Sequence, residues 1–444
     1  MKLTEDGSVK LDIPTVGFDG MVTSYFSAFH FVTQGNAVLQ EGCKQVRKTL
    51  FATQGLANIH ISQFKNRAFK VPLLDRWLVV VTGDHLYNCV RTAPDNILSS
   101  IEAMRDLLQI DYTLGYRDLD NAYHVDIIRT TLQKNLARLI PQMIDEAAHA
   151  FETEIGSKLE VDGRDREYCK LGIQFTSHVM TAAAIINFFP GALKPFVCAI
   201  YRKFFSHRKK MQKLLGPEIE LRRKKYSKQS ASYDEKPDDM LTWLMESAPS
   251  ENDLTIGTLA LRMLNLNFMT IFSTHISFTN AVYNLAAEPR YLCILRDEIQ
   301  ENLDLSGPGQ PSTEDIERCI ILDSFLKESL RINGLGAISL PRKAMVPFPL
   351  LDGTVIPPGT IISVSSTAAH FDSTRYERPQ EFDGLRFAKL RQKEAISEKT
   401  DGHRLTSSGP GFLTFGSGKH IWWGLLTRLI TVQDSEADLF TQPR

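Results

Sequence analysis

The sequence predicts a mainly α-helical protein with a small β component, an α+β chain. Apolar residues recur at helical spacing through most of its middle, so each helix has one stripe to bury. Short runs rich in β-branched and aromatic residues, bounded by turn formers, occur before residue 85 and again beyond residue 350. No internal repeat is present, which leaves a globular core rather than a stacked array.

Taken in order, Phe69-Lys-Val-Pro-Leu and Trp77-Leu-Val-Val-Val-Thr-Gly read as two strands joined across Leu74-Asp75-Arg76. Residues 125–151 place Ile128, Leu132, Leu136, Leu139, Ile140 and Met143 at helical spacing with charges between them. Residues 181–205 are strongly apolar, but Pro190, Lys194 and Pro195 prevent one helix from spanning a bilayer there. Two buried helix ends around a turn fit that stretch, and so does a patch that dips into a membrane surface. Residues 201–226 are dense in Lys and Arg and predict one long, solvated helix. Its basic face is ordinary solvent surface, or a docking face for anionic lipid or an acidic redox partner. A polar loop over 227–236 precedes Pro237-Asp-Asp-Met, which starts a helix with acidic residues where the helix dipole favours them. Residues 259–284 form a very apolar helix, long enough to cross the middle of a large domain, and Pro289 closes it. A charged helix over 290–303 and another over 314–333 follow, the latter ending near Gly334. Beyond it Asp352-Gly353 and Pro357-Pro358-Gly359 punctuate short β segments such as 360–364.

Composition excludes several classes. The chain carries 51 Lys+Arg against 52 Asp+Glu and is 43% apolar, which rules out a disordered chain, a fibre and a basic nucleic-acid coat. Cys43, Cys89, Cys169, Cys198, Cys293 and Cys319 are scattered without a C-x-x-C, as expected of a reducing environment rather than a disulfide scaffold. Residues 1–10 are polar and lack the apolar core of a signal peptide, and no clean apolar run approaches the roughly 18 residues of a membrane span. There is no G-x-S-x-G, no Walker lysine–hydroxyl pair and no H-E-x-x-H, so nucleophile-elbow hydrolase, nucleotide-binding and zinc-protease readings fall.

Three C-terminal features remain. Glu328-Ser-Leu-Arg331 puts an acid and a base on one helix face, which in isolation is a surface ion pair worth under about 1 kcal/mol. Tyr376-Glu-Arg-Pro-Gln-Glu-Phe-Asp-Gly-Leu-Arg386-Phe387 sets an arginine between aromatic residues in a loop. Phe415-Gly-Ser-Gly-Lys-His420 is a glycine-rich turn after a strand end.

In this order and spacing the three features resemble the cytochrome P-450 family, of the fungal microsomal type. Glu328, Arg331 and Arg386 match the family's E-x-x-R and the arginine of its PERF-like segment, which form one buried triad. Ala368-Ala-His370-Phe-Asp372 with Tyr376-x-x-Pro379 also fits the family pattern. Arg342 of Pro341-Arg342 resembles the arginine that pairs with a haem propionate, and Tyr123-His124 with Arg129 resembles the helix pair that holds another. Phe415, Gly418 and His420 belong to the haem-binding turn by the same resemblance. The apolar helix over 259–284 matches the family's long central helix, with Met269-Thr-Ile-Phe-Ser273-Thr274 at the proton-relay position. Ser273 and Thr274 then supply the hydroxyls while Phe272 replaces the acid; alternatively both hydroxyls bond back to the helix. The resemblance implies haem b, electrons from NADPH through a separate reductase, a lipophilic substrate, secondary metabolism of terpenoid type, and an endoplasmic reticulum location.

The sequence departs from the family at one decisive place. The signature F-G-x-G-x-H-x-C-P-G runs here Phe415-Gly-Ser-Gly-Lys-His-Ile-Trp422-Trp423-Gly424, so Trp422 stands where the axial cysteine belongs. Indole has one N–H donor and no lone pair for a metal, and the thiolate is what drives O–O cleavage. The expectation is therefore a P-450-like domain over 13–421, a polar stub without anchor over 1–12 and a divergent tail over 422–444. With the ligand missing, an oxygenase reading, a non-catalytic protein or lipophile binder of the same fold, and a cofactor-free helical scaffold all stay open.

Overall fold

The structure, a computed structural model, describes residues 13–16, 26–41, 67–115, 121–139, 163–227, 237–302, 313–396 and 402–418, with short gaps inside several of these stretches. Its elements run β1 (Arg67–Pro72), β2 (Trp77–Thr82), α1 (Asp84–Thr92), β3 (Leu98–Ser99), α2 (Ser100–Leu108) and α3 (Tyr123–Ile127). Then come α4 (Gly163–Asn187), α5 (Lys194–Phe204), α6 (His207–Ser227), α7 (Met240–Glu246), α8 (Ile256–Ala287), α9 (Arg290–Asn302), α10 (Thr313–Arg318) and α11 (Ile320–Ile332). The chain ends its described part with β4 (Ile338–Ala344), β5 (Phe348–Pro349), β6 (Val355–Ile356), β7 (Ile361–Ser365), α12 (Ser366–His370) and α13 (Arg386–Ile396). They fall into two compact units, Met1–Leu107 with Ser324–Trp422 and Leu108–Asp323 with Trp423–Arg444.

The first unit is built on a five-stranded sheet in the order β1-β2-β7-β4-β3. β1 and β2 pair antiparallel with Pro72 opposite Trp77, and β2 runs parallel to β7. The unbroken apolar run of β2 has a simple cause: both faces of the sheet are covered. Val79 and Val81 pack with Leu86, Tyr87 and Val90 of α1, while Leu78 and Val80 pack with Phe69, Val71 and Ala103 of α2.

In the second unit α8 is the axis. Ala260, Leu264 and Phe268 bury against Leu171, Phe175 and Val179 of α4 and Met211 of α6. Leu259 and Leu266 face Leu241 and Leu244 of α7 together with Ile127 and Ile219. Thr255 caps α8 by accepting the Thr258 N–H at 3.2 Å, and Asp239 caps α7 by accepting the Thr242 N–H at 2.9 Å. The same Asp239 carboxylate takes both terminal nitrogens of Arg222 at 2.6 and 2.8 Å, and these bonds hold its pKa below the usual carboxylate range despite burial.

Several boundaries differ from the sequence expectation. The single helix expected over 201–226 is two, α5 and α6. The one expected over 314–333 breaks at Cys319 into α10 and α11, because Glu298 on α9 accepts the N–H groups of Ile321 at 2.7 Å and Leu322 at 2.8 Å. A carboxylate from another helix thus satisfies the orphan donors of α11 and stabilises a fresh start there. Within 125–151 α3 passes into a π-helical turn, Ile128–Leu132, and most of the remainder lies outside the described residues. The apolar stretch 181–205 is two helix ends around a turn; Ala182, Ile186 and Cys198 are buried together, whereas Phe188, Leu193 and Phe196 are 56%, 49% and 68% exposed.

Candidate functional site

α11 places Glu328 and Arg331 one turn apart, both 0% exposed, and Arg386 at the start of α13 joins them at 8%. Glu328 accepts the Arg331 Nε at 2.7 Å and Nη2 at 2.8 Å, the Arg386 Nε at 3.0 Å, and the Asp383 N–H at 3.0 Å. One carboxylate offsets only one of two positive charges, so backbone carbonyls complete the shell. Arg331 donates to the carbonyls of His370 at 2.7 Å and Pro379 at 2.8 Å; Arg386 donates to those of Glu377 at 2.6 Å and Glu381 at 2.9 Å. The two guanidiniums thereby pin the loop over 377–383, which has no regular secondary structure of its own.

Two neighbours extend this lock. His370 is buried with its Nδ1 donating to the Arg331 carbonyl at 3.1 Å and its Nε2 accepting the Leu413 N–H at 2.9 Å. Burial first, then the Arg331 and Lys327 charges, push its pKa down to about 3, so the ring is neutral in one fixed tautomer. Lys327 is also buried; its Nζ donates to the carbonyls of Arg404 at 2.5 Å and Ser407 at 3.1 Å between the rings of Phe387 and Phe412. Lys327 has no sequence signal beyond its place beside Glu328.

Arg342 follows a local distortion of β4. The register shifts between Ser339 and Arg342, and Leu340 has φ +52°, a left-handed conformation that side chains other than glycine rarely adopt. The bulge sends a guanidinium into the interior, where it is 1% exposed. Its Nη1 reaches the Ser100 hydroxyl at 3.1 Å and the Pro341 carbonyl at 3.0 Å, whereas Nε and Nη2 hydrogen-bond to nothing among the described residues. Burial lowers its pKa, with only distant relief from Asp95. A buried cation with two unmade donors is shaped for an anionic group.

The glycine-rich turn needs its glycines. Gly416 and Gly418 have φ +79° and +72°, and a Cβ on Gly418 would lie 3.0 Å from the Arg91 side chain of α1. Between them Ser417 bonds the Tyr87 hydroxyl of α1 at 2.5 Å, and Phe415 is buried. His420 and Trp422 lie outside the described residues.

On α8 Ser273 is buried and Thr274 half-buried. The Ser273 hydroxyl does not bond back to the helix; it has no partner among the described residues, while Ser277 donates to the Ser273 carbonyl at 2.7 Å. His124 is wholly buried, its Nδ1 2.9 Å from Arg262 of α8, and burial together with that charge pushes its pKa down to about 4. Arg262 in turn donates to Asp253 at 2.5 Å and to the Asn121 carbonyl at 2.9 Å. Arg129, by contrast, is exposed on the π-helical turn.

The Cytochrome P450 family model matches residues 150–424. Cytochrome P450 monooxygenase 103 of Postia placenta is 31% identical over 435 residues, covering 92% of this chain and 82% of that protein. Cytochrome P450 monooxygenase paxP of Penicillium paxilli is 30% identical over 391 residues, 81% of this chain and 73% of that one. Among solved structures, a cytochrome P450 (CYP102L1) superposes with a TM-score of 0.61 at 16% identity, over 97% of this chain and 92% of that chain. The chain belongs to the cytochrome P450 family, and its α+β architecture is the fold of that family. A family of this kind implies haem and a reductase as electron source.

Proposed function

We propose that this chain takes haem and a lipophilic small molecule of fungal secondary metabolism, of terpenoid type, and that Trp422 leaves it inactive as a monooxygenase. The observation that carries the haem reading is Arg342, whose buried Nε and Nη2 await an anion such as a propionate. His124, Arg129, Phe415, Gly418 and His420 make up the rest of the proposed cofactor-binding set, and Ser273 and Thr274 hold the hydroxyls for proton delivery. When bound and thiolate-ligated, haem supplies the oxygen-activating chemistry of the family, with electrons from NADPH through a separate reductase. Here the propionate end fits and the iron end does not, because an indole at residue 422 offers no lone pair to a metal.

The family resemblance supports a location at the endoplasmic reticulum membrane, with a cytoplasmic or peripheral location as the alternative. Among the described residues no helix is long and apolar enough to cross a membrane. Exposed Phe188, Leu193, Phe196 and Ile200, next to the basic α6, support peripheral contact instead. The second reading, a non-catalytic lipophile binder of the same fold, is favoured by Trp422 itself.

The test is the spectrum of the purified full chain titrated with hemin, then reduced under carbon monoxide. A Soret band at the ordinary position is expected. A strongly red-shifted band means thiolate ligation and refutes the inactivity, and absence of any haem absorbance refutes haem binding.

A further inference from the structure

α6 opens with His207-Arg208-Lys209-Lys210 and has no acidic residue in its first turn. A histidine and three cations thus stand at the end of a helix where the backbone dipole disfavours positive charge. Two of these residues turn toward an internal space: His207, which is buried, and Arg208 both line a cavity walled by α4, α5 and α6. His178 of α4 lines it too, its Nδ1 2.8 Å from His207 Nε2. A Cβ added to Gly257 would lie 3.7 Å from Arg208 Nη2, so the guanidinium reaches across to the first turn of α8.

The two rings and the guanidinium differ in charge. Burial, then the Lys210 charge, holds His178 below the ordinary histidine pKa. Burial, then the His178 ring and Lys210, pushes His207 down to about 4. Both rings are therefore neutral near pH 7, and Arg208 carries the positive charge that lines the cavity. Every other lining side chain is uncharged, and no acidic one contributes among the described residues. Along α4 the wall is apolar, with Phe175, Val179, Ala182 and Ile186, and Leu261 of α8 continues it. An apolar flank beside a cationic end suits an amphiphile with an anionic head, and a carboxylate matches the planar fork of a guanidinium. The cavity also stands apart from the hydroxyls of α8: Leu261 precedes Ser273 by twelve residues, about 18 Å along the helix.

We propose that this cavity is a second ligand site, separate from the one at Ser273, and that it takes a single-chain carboxylate with its head on Arg208 and the histidine pair and its tail along α4. The site uses neither haem nor the residue at 422, so it goes beyond the haem and substrate reading and fails or stands independently of it.

The experiment is calorimetric titration of the full chain without hemin, at neutral pH and below micellar concentration. Decanoate, decanol and decyltrimethylammonium serve as probes that share a tail and differ in head charge. Decanoate should bind at least about tenfold more tightly than decanol, the size of one charge-assisted hydrogen bond, and the ammonium more weakly than either. Arg208→Gln should bring decanoate down to the level of decanol and leave decanol unchanged, and Arg208→Lys should keep part of the preference. Phe196→Ser, at an exposed position of α5, should alter neither. Equal binding of decanoate and decanol, a preference that survives Arg208→Gln, a preference lost with Phe196→Ser, or no binding of any probe would each overturn the proposal. So would displacement of decanoate by phosphatidylserine vesicles, which would assign these cations to a membrane surface. Hemin should leave the preference unchanged, and a chain that keeps the preference but takes no haem overturns the haem reading alone.

Discussion

Glu328→Gln separates a buried charge triad from an ordinary helix-face ion pair. The substitution keeps shape and one acceptor but removes the carboxylate that pairs with both Arg331 and Arg386, which are 0% and 8% exposed. The new amide nitrogen must also face one of the guanidinium donors that now close at 2.7–3.0 Å. Neither arginine can turn away, because each also donates to carbonyls of the loop over 377–383. Two buried cations then lose the carboxylate they share, which costs about 3–5 kcal/mol, whereas an exposed i,i+3 pair is worth under about 1 kcal/mol. At roughly 2–4 °C per kcal/mol for a unit of this size, the melting temperature should fall by at least about 6 °C. Circular dichroism melts at neutral pH measure it directly, and proteolysis within 377–383 should accelerate. A shift below about 2 °C would refute the reasoning and return Glu328 to the class of surface pairs.

Acidification should destabilise the first unit through His370. Its folded pKa is lowered to about 3, below the ~6.5 of an unfolded histidine, so its contribution is complete above that value and is lost as pH falls toward 3. Melts should lose about 2 kcal/mol between pH 7 and pH 5, and His370→Gln should flatten that slope while lowering stability at pH 7. Asp239→Ala removes a cap and both Arg222 bonds together, and should cost about 2–3 kcal/mol by chemical denaturation; Asp239→Asn, which keeps the cap, should cost less. Arg342→Gln should weaken hemin binding about tenfold in a titration without lowering the melting temperature of the haem-free chain, since the desolvated cation gains little there. Trp422→Cys with Trp423→Pro should move the reduced, carbon monoxide-bound Soret band strongly to the red, and an unmoved band would refute residue 422 as the proposed ligand position.

What was legible in the sequence is what is local. β1 and β2 announce themselves by β-branched runs around a tight turn, and α8 by a long apolar stretch between Thr255 and Pro289. The pairing of Glu328 with Arg331 follows from helical spacing. What escaped is set by distant groups. The break at Cys319 depends on a carboxylate from α9, and the bulge that turns Arg342 inward depends on a left-handed Leu340 that no residue preference announces. His370 belongs to a recognisable sequence pattern, but its role emerges only when the Arg331 carbonyl and the Leu413 N–H are found on its two nitrogens. The amide of Asn265, buried in α8 with no hydrogen-bond partner among the described residues, is likewise invisible in a helix whose hydrophobic pattern already looks complete.

Trp422 reverses that relation, since the sequence alone displays it. Its consequence can still be argued from the first unit. Among the described residues the bonds of the Glu328 triad, of His370 and of Lys327 run within residues 327–413, and the Ser417–Tyr87 bond ties the glycine-rich turn to α1. These bonds frame the first unit on their own account, and that frame is expected to hold whatever side chain stands at residue 422. On the proposed reading, a tryptophan at residue 422 changes the chemistry and leaves the frame in place. Stability and ligation should respond to different substitutions: Glu328→Gln should melt the frame whatever stands at residue 422, and Trp422→Cys should change the haem spectrum with little change in melting temperature. A cysteine variant that instead raised the melting temperature of the haem-free chain by more than about 2 °C would show that the turn and the triad share one cooperative unit.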